Sequence, residues 1–366
     1  MVQSTSALGT AEPPMEAAQQ LIIKVAFGQP VERESLSGLR LAGLPLPGAL
    51  FSQVDFSGCD FTGADLREAV FDQCQLDRAI FDRAHLRAVT LHKCSANGSH
   101  WLGSSLRNAR LVDTMMGDAK MAGADFNLAS LIRCDLSDVD LSGAFVDRCN
   151  FIEVSAQRTK LERIAMYQAT FHRCVLDGAS LAGSSIRLGT FNETPLPGRS
   201  FVEVELMGVQ FTGCDLQGAD FSGTGIEKCN FMKSKLHGAS FAHSKGPNAL
   251  FPEAQGEGCN FECAQLRQAL FNGAKLPRAR FDHADLYQTN WDHAVLSQAS
   301  LRHCELTYAD FSHADLTGTD FRDATLFRTK LHAVRDAGAQ FTDRARALET
   351  DEALLRAQNW AAASAA

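Results

Sequence analysis

Cysteine and histidine carry the most obvious chemistry in this chain, and their spacing invites a metal. There are eleven of each. His243, Cys263, His283 and His303 recur twenty residues apart, and His293 and His313 repeat the interval half a period away. If successive members stood about 5 Å apart, as on neighbouring strands, Cys263, His283 and His303 could share a zinc or copper ion. Tetrahedral closure needs ligands that converge, whereas side chains on one flat face point in parallel. A solvated, slightly pH-sensitive polar face is therefore expected, with no metal and no cofactor.

The other ten cysteines obey a different rule. Cys59, Cys74, Cys94, Cys134, Cys149, Cys174, Cys214, Cys229, Cys259 and Cys304 all fall in one frame of a five-residue count, which they share with Ala, Ser, Thr, Val and Gly. In such a frame cysteine acts as a small buried hydrophobe. No CxxC pair occurs, and free thiols in these numbers fit a reducing cytoplasm. Carboxylates such as Asp55 and Asp60 recur because each precedes a large apolar residue, where it can bond local backbone at a turn. No nucleophile elbow, Walker loop, HExxH or dinucleotide fingerprint stands in its required context. The expectation is a protein that is not an enzyme.

What positions all these residues is the period itself. From Phe51 to Leu331 a large apolar residue recurs at every fifth position, and only Ala96, Ala156, Gly246 and Gly256 depart from it. Two residues before each stands a small one, with Ile164 and Arg199 as the departures. A helix repeats every 3.6 residues and a strand every 2, so neither holds this phase. Two of every five side chains point inward, one bulky and one small, and the other three are mostly polar.

Runs such as CDFTGADLREAVF (59 to 71), CDLQGADFSGTGI (214 to 226) and ADFSHADLTGTDF (309 to 321) resemble the tandem A-[D/N]-L-x-x pattern of the bacterial pentapeptide-repeat family. The resemblance spans roughly residues 36 to 341. It implies an all-β fold, a right-handed quadrilateral parallel β-helix in which four pentapeptides close a twenty-residue coil. Each coil of such a solenoid buries its interior only by stacking on its neighbours. The columns that begin at Phe51 and Phe61 are mostly Phe, and those that begin at Phe56 and Leu66 mostly Leu. Between about 91 and 146 the Phe columns change to Leu, Met and Trp, which predicts a local change in coil cross-section.

Three regions follow: residues 1–35 as a tail and capping helix (helix over 15–27), 36–341 as coils, and 342–366 as a helix (342–360) with a disordered tail. Loops are expected to leave the coil at 194–199, where Pro195 and Pro197 flank Leu196, and at 244–258, where Gly246 and Gly256 replace large residues.

Among function classes, a scaffold or adaptor presenting a rigid surface to a protein partner is the favoured one. The formal charge of -8 is scattered, without the basic footprint of a nucleic-acid binder. No segment has the roughly 20 apolar residues of a membrane span, and no secretory signal is evident, so a cytoplasmic location is expected, with signal-independent export open. The resemblance also implies alternatives: association with a type VI secretion system, a secreted effector, or a DNA mimic that binds gyrase. Mimicry needs a sustained acidic face, and the columns through Asp60 and Asp65 are mixed in charge. The partner-binding candidates are the residues that break the outward polar rule: Val112, Ile132 and Ile152 in one column, Met115 and Phe145 nearby, Tyr287, Tyr308 and Phe327 on another face, and Trp360 near the C-terminal end, where a terminal segment could also make a homodimer.

Overall fold

The structure, a computed structural model, describes residues 14–365. It is a parallel β-helix of four-sided coils, and one hydrogen-bonding rule builds it. The amide of nearly every large residue donates to a carbonyl nineteen positions ahead, as Phe61 does to Ile80 at 2.7 Å. The residue before it donates twenty-one positions back, as Asp60 does to Leu39 at 2.9 Å. Partners therefore stand twenty residues apart, as in Phe51 opposite Phe71.

Corners come from backbone conformation. Every described residue with positive φ, from Gly28 to Gly338, sits two positions after the frame that the large residues occupy. At most corners the small residue then donates back to the large carbonyl, as Ala64 does to Phe61 at 2.9 Å, which closes a turn whose third residue needs left-handed backbone. Glycine takes that conformation freely, and other residues at a cost of about 1 kcal/mol. The remaining outward amide is left out of the ladder, and the preceding Asp caps it: Asp55 accepts from the Ser57 amide and Asp60 from that of Thr62, both at 2.9 Å.

The chain forms two compact units, one ending at Phe145 and one beginning at Val146. In the first, α1 (Pro14–Ala26) is followed by β1 (Val31–Glu32), β2 (Leu50–Ser52), β3 (Val70–Asp72), β4 (Thr90–His92), β5 (Arg110–Val112) and β6 (Ser130–Ile132), each strand parallel to the next. The helix buries Leu21 beside Leu36, and Lys24 pairs with Glu34 at 2.5 Å. The coil begins at Val31, earlier than the expected 36, because Val31 already fills a large position.

In the second unit, β7 (Asn150–Ile152), β9 (Thr170–His172) and β11 (Thr190–Asn192) pair on one side, and β8 (Ala165–Tyr167), β10 (Ser185–Arg187), β12 (Glu205–Met207) and β13 (Ile226–Glu227) on another. Later coils are held by single bridges until β14 (Asp320–Phe321) pairs with β15 (Gln340–Phe341). Its core is two stacked aromatic columns, one running Phe231, Phe251, Phe271, Trp291 at 4.0–4.8 Å and within 6° of parallel. The other holds Phe241, Phe261 and Phe281, and the columns meet edge to face. Trp291 fits because Thr289, in the small frame, accepts its indole N–H at 2.8 Å; Ser99 does the same for Trp101 at 2.6 Å in the first unit.

Neither expected loop leaves the coil. Through 244–258 the ladder is continuous: Gly246 donates to Gln265 at 2.8 Å and Gly256 to Lys275 at 2.9 Å. The glycines fit because their neighbours already fill the interior. A Cβ on Gly246 would lie 2.5 Å from Cγ1 of Ile226, and one on Gly256 would lie 2.4 Å from Sγ of Cys259. At 194–199 the chain also keeps its path, but the ladder opens on one side of it.

The C-terminal segment differs as well. Residues 342–351 are not helical: Leu348 bonds Thr329 and Leu331, each at 2.8 Å, and prolongs the coil edge. Asp351 then accepts the amides of Ala353 and Leu354 at 2.9 and 3.0 Å, an N-cap that starts α2 (Glu352–Ala365). The backbone of 361–365, expected to be disordered, is helical; the first residues lie outside those described.

Candidate interaction surface

Burial suppresses the reactivity of most inward cysteines, and Cys74 alone is shifted the other way, lowered by its bond with Cys94. Burial pushes the thiols of Cys59, Cys134 and Cys174 up to about 11, and those of Cys214, Cys229 and Cys259 up to about 12. Cys149 and Cys304 rise further for the same reason, and Cys94 is raised by its neighbour Cys74 as well as by burial. At neutral pH these thiols are protonated and poor nucleophiles. Many donate instead to a carbonyl of the preceding coil, as Cys304 does to Phe281 at 2.9 Å.

The histidine column is a stack. His283 and His303 lie ring on ring, centroids 4.7 Å apart and 6° from parallel, so their nitrogens do not converge. Both, like Cys263, occupy left-handed corner positions, with φ of 62°, 57° and 56°. Among the described residues no three His, Cys, Asp or Glu side chains gather at metal-binding spacing. The other histidine row has a structural partner: His332, 6 % exposed, accepts the Asp351 amide on Nδ1 at 3.2 Å. Its Nε2 is thereby left to donate to Oε1 of Gln358 at 3.0 Å, which docks α2 on the coil.

The apolar candidates differ from one another. Val112 and Ile132 are register partners in the first unit, and Val112 is only 8 % exposed although it points outward. Ile152 belongs to β7 of the second unit and is half-buried. Met115 and Phe145 are exposed. Trp360 on α2 is 76 % exposed.

Tyr287, Tyr308 and Phe327 do come together. Tyr308 stands between the other two, 5.9 Å from Tyr287 and 6.0 Å from Phe327, edge to face in both contacts. Tyr308 and Phe327 are 43 % and 46 % exposed. Arg267 lies over the Tyr287 ring at 4.7 Å while pairing with Asp285 at 3.2 Å. The arginine was missed from sequence, although it stands twenty residues before Tyr287 in the same column. Tyr308 holds a corner with φ of 60°, where glycine would be cheaper.

Family comparison agrees with this geometry. The model described as pentapeptide repeat region matches residues 46–121 and 204–281, and that described as pentapeptide repeats (8 copies) matches 116–146, 279–318 and 304–334. No curated protein matches the sequence. Among solved structures, the chain is similar to HetL, a pentapeptide repeat protein involved in heterocyst differentiation regulation from the cyanobacterium Nostoc sp. strain PCC 7120, with 20 % identity over 64 % of this chain and 97 % of HetL (TM-score 0.27). It is similar to trypsin-treated QnrB1, a plasmid-mediated fluoroquinolone resistance protein, with 19 % identity over 60 % of this chain and 91 % of QnrB1 (TM-score 0.27). A pentapeptide repeat protein of the Arabidopsis thaliana thylakoid lumen shares 23 % identity over 36 % of this chain and 63 % of its own (TM-score 0.13).

Proposed function

The chain belongs to the pentapeptide-repeat family, and from that premise we propose that it is a non-enzymatic adaptor that binds a protein partner through the Tyr287, Tyr308 and Phe327 face. The observation that carries this reading is the exposed aromatic cluster with Arg267 beside it. Tyrosine and arginine are enriched in binding hot spots: tyrosine offers a large rigid area with a polar tip at little rotamer cost, and arginine a planar fork of donors that stacks on aromatic rings. An isolated exposed aromatic is ordinary, whereas three in mutual contact on a polar surface form a patch.

Charge favours this reading over duplex mimicry. Along the columns, acids alternate with bases one coil away and pair with them: Asp113 with Arg133 at 2.6 Å, Glu193 with Arg173 at 2.7 Å, and Asp310 with Lys330 and Asp315 with Arg335, both at 3.0 Å. Such ladders neutralise a face that a DNA mimic would keep acidic. The free thiols support a reducing compartment as its place of work.

The test is co-purification from native lysate with the wild type, with Tyr308→Asp/Phe327→Asp, and with Ile132→Asp as a second patch. The double variant should lose the bound protein and Ile132→Asp should keep it. Mass spectrometry of that protein would show whether it belongs to a secretion apparatus. Light scattering would reveal a second copy of the chain. An unchanged bound set in the double variant would refute the aromatic face.

A further inference from the structure

The ladder of the second unit opens on two successive sides of one coil. The amides of Ala156, Arg158, Leu161 and Arg163 donate to the next coil at 2.8–3.0 Å. One coil later the equivalent amides of Leu176, Gly178, Leu181 and Gly183 reach no carbonyl among the described residues. Pairing is intact on the sides before and after, at Thr170–Thr190 and Ser185–Glu205.

Two residues cause the gap. Pro195 stands where the ladder needs an amide donor and has none. Pro45 occupies the same frame without harm, because no coil precedes it. Arg199 fills a small inward position, and its guanidinium lies between the coils, donating to the carbonyls of Leu176 and Ala179. The Ala179 carbonyl would otherwise accept the Ser200 amide.

The result is a cleft of about 440 Å³ lined by Gly178, Ser180, Pro197, Arg199, Ser200 and Asp177. No carboxylate among the described residues pairs with Arg199; Asp177 acts on it only at longer range, and burial holds its pKa below the ordinary value. A guanidinium has five N–H donors. Two serve carbonyls here, so it retains charge and donors for an anion, and unpaired ladder groups flank it.

We propose that this cleft binds an extended peptide segment bearing a carboxylate, which pairs with Arg199 while the peptide backbone bonds the unpaired amides and carbonyls of the two flanking coils. The volume suits two or three residues, within the usual range for ligand sites. The cleft is distinct from the aromatic face, and neither proposal rests on the other. The carboxylate comes from a chain terminus or from an acidic side chain.

The test titrates the full chain with a labelled Thr/Val hexapeptide carrying a free C-terminal carboxylate, with its C-terminal amide, and with an amide bearing one glutamate. The free acid should bind and the plain amide should bind at least tenfold more weakly. Recovery with glutamate assigns the carboxylate to a side chain, and no recovery assigns it to a terminus. Arg199→Ala should weaken binding at least tenfold. Pro195→Gln/Arg199→Ala, which restores both donor and small residue, should abolish it with the melting temperature unchanged or raised. Asp177→Asn, which removes a like charge, should tighten it several-fold. Equal binding of acid and plain amide, binding of none of the three peptides, full binding by the double variant, or displacement by inorganic phosphate as effective as by unlabelled peptide would overturn the proposal.

Discussion

Two stretches of the second unit break the five-residue chemistry, and only one of them breaks the structure. At 244–258 two large residues are missing, yet Gly246 and Gly256 keep their ladder bonds and the coil stays closed. At 194–199 every large position is filled, yet the ladder parts. A solenoid column tolerates a missing side chain because residues above and below, Leu236 and Leu276 around Gly256, close over the space. It does not tolerate a missing amide beside an oversized inward residue, since neither can be supplied by the neighbouring coils.

Reversing these features should separate the regions. The largest effect is expected where the sequence most resembles a defect. Gly256→Leu restores the repeat pattern but places a side chain where Cβ alone would be 2.4 Å from Cys259 and 2.9 Å from Leu276, so it should destabilise by about 3 kcal/mol in denaturant unfolding. Gln255→Pro copies the Pro195 defect into the closed region. It removes the 2.9 Å bond to Ser234 and should cost about 2 kcal/mol, with loss of protection at neighbouring amides.

In the open region the sign reverses. Pro195→Gln supplies the missing donor and should stabilise by about 1 kcal/mol, read from the same unfolding curves. Corner glycines should not distinguish the regions: Gly198 (φ 61°) and Gly258 (φ 66°) face open space, so alanine at either should cost about 1 kcal/mol through backbone strain alone. Pro247→Ala should change stability by less than about 0.5 kcal/mol, because its position does not donate in the ladder.

Much of this fold was legible because side-chain size repeats with the coil. The large and small frames identified the interior residues, the buried cysteines and the face shared by Tyr287, Tyr308 and Phe327. The frame could not reveal which neighbour fills a gap, so Gly246 and Gly256 read as loops. Nor did it mark which outward amide serves the ladder, and for that reason Pro195 and Pro197 looked equivalent although only Pro195 removes a bond. The left-handed corners were hidden because Arg, His and Gln hold them as often as glycine does, and the start of α2 depended on Asp351 rather than on the apolar pattern.

Amide hydrogen exchange resolved by residue tests the contrast most directly. The account predicts that Gly178 and Leu181 exchange without ladder protection while Gly246, Phe251 and Gly256 exchange slowly. Equal protection at the two sets of amides, or faster exchange at Gly246 and Gly256, would contradict it.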